Sequence, residues 1–437
     1  MFVPFGLKFG DAKRCSFRLA RTMAFCFIAV AILAANIRAR SSLAFGPGAS
    51  DVSPSLSLQT VEESITESPE SLAVALERAL SKGQNETAQE ILSQILKRPH
   101  VNADLLLKVG AGLAQRELYA EASQVFARCV GENPGIFEAH YDLALAEFAQ
   151  QKLPEALAAL RDAPQGSKDE NLGLLYLRGK IESALGRTLD AERDLSAAFS
   201  GAPQRENYAL DLGLFRLQQQ DYFRAAQTFE RGASFNPRSP FLALGLALAQ
   251  FLSAHEAQSV ETSKKLLALQ PDFSPARLLM AFALYEEGKL EDAERVAAEG
   301  LAPPQPDAYL YYLDAVILLK RGSPDDGRIL RELAIAENTI PSCSLCYLAE
   351  SKAHLALGDL KAAIADLESA VRLGPDLAEA WYRLAPLYDQ VGRHVDAASA
   401  REQFQKLKAD KENRESEMIR NIFMRALSTT EPSGLHP

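Results

Sequence analysis

The chain has few of the residues that carry chemistry. Its 437 residues include six His, five Cys and a single Trp, and aromatic residues make up only 8%. His100, His140, His255, His354, His394 and His436 are dispersed, with no His-x3-His pair and no Cys pair beside any of them, so the usual ligand spacing of a metal site is missing. No phosphate-binding Gly loop and no Gly-x-Ser-x-Gly elbow occurs. Nor is there a stretch of about 100 residues, the size of a domain, free of the periodic pattern described below. The expectation is a protein that is not an enzyme and needs no cofactor or metal. Scarce aromatics together with abundant Ala and Leu favour helix packing over strand pairing.

Positive charge is scarce too, and unevenly placed. The formal net charge is −10, yet Lys8, Lys13, Arg14, Arg18, Arg21, Arg38 and Arg40 all precede residue 45, against the single acid Asp11. The remainder is therefore more acidic than the total suggests. Such a body repels phosphate backbones and anionic lipid, so the expected partners are other proteins with apolar or amphipathic segments, with no nucleic acid. Any membrane contact is expected only through the N-terminal segment, if that segment stays uncleaved.

Long hydrophobic runs are absent apart from Met23 to Ala35, which extends to Ile37 across Asn36 and stops at Arg38. Basic residues precede it, as in an export signal. At about 1.5 Å per residue the run is short for a hydrocarbon core of about 30 Å. Ser42-Leu43-Ala44 is a serviceable cleavage site and Ile37-Arg38-Ala39 a poorer one, and Cys26 lies inside the run rather than after it, against a lipid anchor. Residues 1–44 read as a signal peptide or N-terminal anchor, with a removable signal preferred. The product is expected to be exported, periplasmic or extracellular, with anchoring in the inner membrane by residues 23–37 as the alternative. Residues 45–68 are Ser-rich with little apolar periodicity and read as a linker that cannot bury enough surface to fold.

What the chain does have is self-similarity. Pro203, Pro237 and Pro271 are 34 residues apart, as are Pro341 and Pro375. Ala122, Ala156, Ala191, Ala225, Ala293, Ala363 and Ala397 keep the same beat, and so do Gly288 with Gly322 and Gly358 with Gly392. Within one period, Leu345, Leu348 and Leu355 precede Gly358. Leu360, Ala363, Ile364, Leu367, Ala370 and Val371 then recur at helical spacing before Gly374-Pro375. Each period is thus two helices joined by a tight turn. Gly ends the first helix where the chain reverses through a positive φ. The small Ala lets two helix axes approach, and Pro stops the second helix. One such hairpin exposes an apolar back that only stacking can cover.

The motif Trp381-x-x-Leu384-Ala385-x-x-Tyr388, followed by Gly392 and Ala397, closely resembles the tetratricopeptide signature. Ala225-x3-Phe229 ending in Pro237, and Ala122-x3-Phe126 ending in Pro134, repeat its second half. The resemblance implies an all-α, right-handed α-solenoid of about ten helix-turn-helix repeats over residues 69–411. Units are expected to start near 69, 103, 137, 172, 206, 240, 274, 308, 344 and 378. Met418, Ile419, Ile422, Phe423 and Leu427 suggest a capping helix over 412–427, ahead of a disordered tail, 428–437.

In this family the first helix of each hairpin lines a concave groove. Carried onto this sequence, the resemblance implies a groove of Leu210, Leu214, Leu217, Phe241, Leu244, Leu248, Phe251, Leu278, Phe282, Tyr285, Tyr309 and Tyr312, with inter-repeat core as the competing assignment. Members that grip a C-terminal carboxylate use Lys, Arg and Asn at such positions. Only Lys180, Asn207 and Lys352 occur here, so a carboxylate clamp is not expected. Cys343 and Cys346 stand at the turn into the ninth unit, where packing is the preferred reading and a local disulfide the alternative. Tyr347 replaces the His that haem attachment requires. The functional expectation is a scaffold binding partner peptides or helices in its groove. The alternative is a membrane-anchored adaptor or an accessory subunit of an envelope assembly or glycan-synthesis complex.

Overall fold

In a computed structural model of the chain, residues 68–301, 307–323, 325–340 and 342–408 are described. All regular structure among them is helical, arranged as ten consecutive hairpins. The first five are α1 (Pro69–Ser81) with α2 (Asn85–Lys97), α3 (Ala103–Ala114) with α4 (Tyr119–Glu132), α5 (Phe137–Ala149) with α6 (Leu153–Arg161), α7 (Lys168–Ala184) with α8 (Thr188–Gly201), and α9 (Glu206–Gln218) with α10 (Tyr222–Phe235). Then come α11 (Pro240–Leu252) with α12 (Glu256–Leu269), α13 (Ser274–Glu287) with α14 (Leu290–Glu299), α15 (Ala308–Arg321) with α16 (Asp326–Thr339), and α17 (Ser344–Ala356) with α18 (Leu360–Leu373). The last pair is α19 (Ala378–Gln390) with α20, residues 394–408. The expected signal or anchor, the linker, the 412–427 helix and the tail lie outside the described residues.

Every hairpin turn contains one residue with a left-handed backbone: Gly83, Glu117, Gln151, Gly186, Gln220, Ala254, Gly288, Gly322, Gly358 and Gly392. Glycine accepts that conformation at little cost, and the four other residues occupy it under strain. The Ala register is equally regular. Ala122, Ala156, Ala191, Ala225, Ala293, Ala363 and Ala397 are all fully buried, and Ser259 fills the same place in α12. The prolines lie just past the second helices: Pro134, Pro203, Pro237, Pro271 and Pro375 each stand two residues beyond a helix end.

Several first helices begin with side-chain caps. Ser68, Asn102, Ser239 and Asp307 each accept a hydrogen bond from a backbone amide of the first turn, which would otherwise lack a partner. One boundary differs from the sequence expectation. α7 starts at Lys168, four residues before 172, because Ser167 and Glu170 form a reciprocal capping box.

Clustering of contacts divides the described chain at Tyr208/Ala209 into two compact units, residues 68–208 and 209–408. In the first, Leu72, Leu76, Ile95, Leu106, Val125 and Phe126 form a core across the first two hairpins, and Ala144, Leu160, Leu177 and Ile181 continue it. Carbonyls near helix ends are tied down by side chains of the same hairpin or of the next. Arg128 donates to the carbonyls of Ile95 and Arg98, and the buried His140 ring bridges those of Pro134 and Ala159 at 3.1 and 3.2 Å. In the second unit, Leu348, Leu367, Leu384, Ala385 and Tyr388 pack the last two hairpins, and Trp381 Nε1 donates to the Pro375 carbonyl at 2.9 Å.

Candidate protein-binding surface

The twelve expected groove residues lie on α9, α11, α13 and α15, all in the unit 209–408, and most face inward. Leu214, Leu217, Leu244, Leu248, Phe251, Leu278, Phe282, Tyr285 and Tyr312 are buried, whereas Leu210, Phe241 and Tyr309 remain half-exposed. Their aromatic rings touch one another: Phe251 and Phe282 lie 5.1 Å apart between centroids, and Phe282 stacks on Tyr285 at 6.1 Å. Lys320 closes this cluster from α15, with Nζ 3.7 Å above the Tyr285 ring and donating to the Tyr285 carbonyl. Successive first helices therefore spend these side chains on one another. Of the cations considered for a clamp, Lys352 is held by Glu379 at 3.1 Å.

Val74, Ile335 and Tyr382 reach solvent from helix interiors, and Leu189, Phe223 and Val395 from the first turns of second helices, but a further set of exposed apolar side chains stands at helix C-termini. Phe235 and Leu269, 52% and 66% exposed, are the last residues of α10 and α12 and are 34 residues apart. Leu373 ends α18 in the same way. Leu357 and Val391, also 34 apart, cap the C-termini of α17 and α19 and are likewise exposed. Beside the first row, Phe241 and Phe273 meet edge to face at 6.3 Å. Recurrence at the repeat interval is the signal that could have found these residues. A side chain just past the last turn of a helix has nothing of its own hairpin to pack against.

A second cluster lies in the unit 68–208. Tyr176 on α7 packs against Tyr208 at the start of α9, the rings tilted by 30° with centroids 4.4 Å apart. Lys180 Nζ lies 5.3 Å from the Tyr176 ring centre, and Arg205 lies 5.4 Å from that of Tyr208 while donating to its hydroxyl. Burial pushes the Tyr208 and Tyr141 phenols above their ordinary range.

Several buried carboxylates are tied to cations of their own hairpin. Asp194 on α8 accepts from both Arg178 and Arg193, while Glu182 beside it is pushed up to about 6, first by burial and then by Asp194. Glu350 on α17 is raised to about 7 by burial and by Glu337 and Asp366. Cys343 and Cys346 are joined by a disulfide with Cα atoms 5.3 Å apart, and Cys343 caps α17 by accepting from the Cys346 amide. Cys129 is a buried free thiol whose burial disfavours the thiolate. Among the described residues there is no cluster of metal-ligating side chains and no helix long and apolar enough to cross a membrane.

Residues 113–170 and 348–409 match the tetratricopeptide repeat family. The chain is 26% identical over 315 residues to human IFIT1, an antiviral innate immune response effector, the match covering 61% of this chain and 65% of that protein. It is 27% identical over 229 residues to mouse DnaJ homolog subfamily C member 3, covering 49% of this chain and 39% of that one. The chain thus spans less than two thirds of either relative. Among solved structures, a tetratricopeptide repeat protein from Parabacteroides merdae aligns with a TM-score of 0.42 at 20% identity, over 57% of this chain and 98% of that one. IFIT1 solved with m7Gppp-AAAA aligns with a TM-score of 0.39 at 18% identity, over 77% of this chain and 85% of that one.

The sequence similarity to human IFIT1 corrects one expectation. Net acidity predicts no nucleic-acid partner, yet IFIT1, a protein to which this chain is similar, is solved with capped RNA and with PPP-AAAA. Net charge describes the far field. A short oligonucleotide can be held by a few local cations and by stacking on rings, which a whole-chain sum does not register.

Proposed function

The chain is a tetratricopeptide-repeat protein, and on that premise we propose that it is a non-enzymatic scaffold holding partner proteins on the apolar side chains that recur along its hairpin edges. The observation that carries this reading is the pair Phe235 and Leu269, exposed at one repeat interval in a fold whose other large apolar side chains are mostly consumed by packing. A partner contributing apolar or amphipathic segments would cover such positions, and exposed aromatic anchors dominate interfaces of that kind. The basic and apolar residues 8–37 favour an exported product, with inner-membrane anchoring as the alternative. Proximity labelling from the full chain in its native cell, repeated with Phe235→Asp and Leu269→Asp together, tests the surface. Loss of labelled proteins at unchanged helicity supports it, and an unaltered set removes it. N-terminal sequencing decides the address: a start near Phe45 means export, an intact start in the membrane fraction means anchoring. Stable co-purification with an envelope enzyme would recast the scaffold as an accessory subunit.

A second reading rests on the Lys180, Tyr176, Tyr208 and Arg205 cluster. The half-exposed Tyr176 ring, backed by the buried Tyr208 and flanked by Lys180 and Arg205, suits a single-stranded nucleic acid, whose bases stack on such a ring. Fluorescence anisotropy with labelled PPP-AAAA and m7Gppp-AAAA tests it. Saturable binding weakened by Tyr176→Ala supports the reading, and no binding at low salt rejects it.

A further inference from the structure

Three carboxyl groups converge on one guanidinium in the eighth hairpin. Arg328, in the first turn of α16, donates through Nε to Glu332 at 2.8 Å, through Nη2 to Asp314 on α15, and through Nη1 to Glu294 on α14 at 3.3 Å. The other Glu294 oxygen accepts from Arg321 at the end of α15, which also lies 4.0 Å from the exposed Glu291. Asp314 has no exposed side-chain area and Glu332 only 10%. One oxygen of each, Asp314 Oδ1 and Glu332 Oε2, is buried without a hydrogen-bond partner, and the other oxygen of each is held by the one Arg328 guanidinium.

Two carboxyl groups can share a hydrogen bond only when one of them carries a proton. With every group ionised, Asp314, Glu332 and Glu294 place three negative charges against Arg328 and Arg321. Burying that excess is costly, and a single proton removes it. We propose that Asp314 and Glu332 form a proton-binding site that clasps α15 to α16, holding one shared proton at acid pH and losing it as the medium turns alkaline, whereupon the eighth hairpin loosens.

The surroundings agree with this direction. Burial is the leading influence on both carboxyls and pushes both up, while Arg328 opposes it. From α14 the pair sees Glu294 and, beyond Arg321, Glu291. On the other side of α16, α17 contributes Tyr347, which donates to Glu337, together with Glu350 and His354, the latter paired with Asp366 at 2.6 Å. Acids thus outnumber bases around the clasp. The folded hairpin keeps a proton that the unfolded chain gives up in the ordinary carboxylate range. Its contribution to stability is complete below that range and is lost as pH rises through the raised value.

Hydrogen exchange of the full chain between pH 5 and pH 8.5, read by mass spectrometry and corrected for intrinsic exchange, tests the clasp. Peptides within 308–339 are expected to lose about tenfold in protection relative to peptides within 69–97. Glu332→Gln supplies a permanent N–H donor to Asp314 and is expected to keep the ratio flat. If circular dichroism shows that variant unfolded, Asp314→Asn takes its place. A flat wild-type profile overturns the proposal whatever the variants do, and so does an equal loss of protection in the folded Gln or Asn variant.

Discussion

The ring of Phe229 occupies the space that a side chain at Gly213 would need: a Cβ built on Gly213 would overlap three atoms of the ring. The same pairing holds between Gly110 and Phe126, three repeats earlier, and Gly179 meets Leu195 in like manner, its Cβ falling 2.8 Å from Leu195 Cγ. Glycine in a helix interior is otherwise a liability, so these positions record how closely two helices of one hairpin must approach. Gly213→Val is expected to destabilise the unit 209–408 by about 2–3 kcal/mol through overpacking, measured by urea unfolding. A neutral result would mean that the helices can part without loss.

At Ala254 the strain runs the other way. Its φ of 60° places a Cβ in the left-handed region at the one hairpin turn that has Ala, where six of the other nine have Gly. Ala254→Gly is expected to stabilise the sixth hairpin by about 0.5–1 kcal/mol, the relief exceeding the entropy lost. The readout is the exchange of amide protons at the end of α11.

Phe251→Asp and Phe282→Asp are expected to unfold the hairpins they join. Both rings are 3% exposed and in contact with each other. Losing the ring costs about 3–5 kcal/mol, and burying a carboxylate costs more. Retained helicity in either variant would restore these residues to an open groove. The contrast with Phe235→Asp, expected to be silent in circular dichroism, separates core from surface.

Glu182 gives a pH dependence to the unit 68–208. Its carboxyl, raised to about 6 chiefly by burial, keeps a proton in the folded state that the unfolded chain releases at lower pH. Stability from this group is therefore complete below about pH 4 and lost as pH rises through 6. Glu182→Gln is expected to raise the thermal midpoint at pH 8 and leave it unchanged at pH 4. Equal shifts at both values would point to packing instead.

The bond between Cys343 and Cys346 is open to a direct count. Alkylation under denaturing conditions without reductant is expected to label Cys129 alone among peptides from residues 68–408, and to label all three after reduction. Labelling of Cys343 before reduction would show the pair as thiols.

Much of this architecture could be read from residue spacing. Alanines and prolines at a fixed interval gave the hairpins and nearly every first-helix start, because an unvarying close approach and an unvarying stop demand particular residue types. The start of α7 escaped, since its capping box sits inside a loop lengthened after Pro164. The hairpin turns were only half legible: Glu117, Gln151, Gln220 and Ala254 adopt the left-handed conformation without the glycine that announces it. Which apolar side chains face solvent was the least legible part. Family register placed Phe251 and Phe282 toward a groove, but whether a helical face meets solvent or the next hairpin depends on how tightly neighbours pack, and spacing carries no measure of that.

Within either unit, each hairpin packs chiefly against its neighbours in the chain. Contacts there close over short loops, and assembly can begin at any hairpin and spread in both directions like a zipper. Damage is correspondingly local. A stop codon placed two residues after Leu269 or Leu373, at Pro271 or Pro375, is expected to leave a shorter product whose earlier hairpins remain folded.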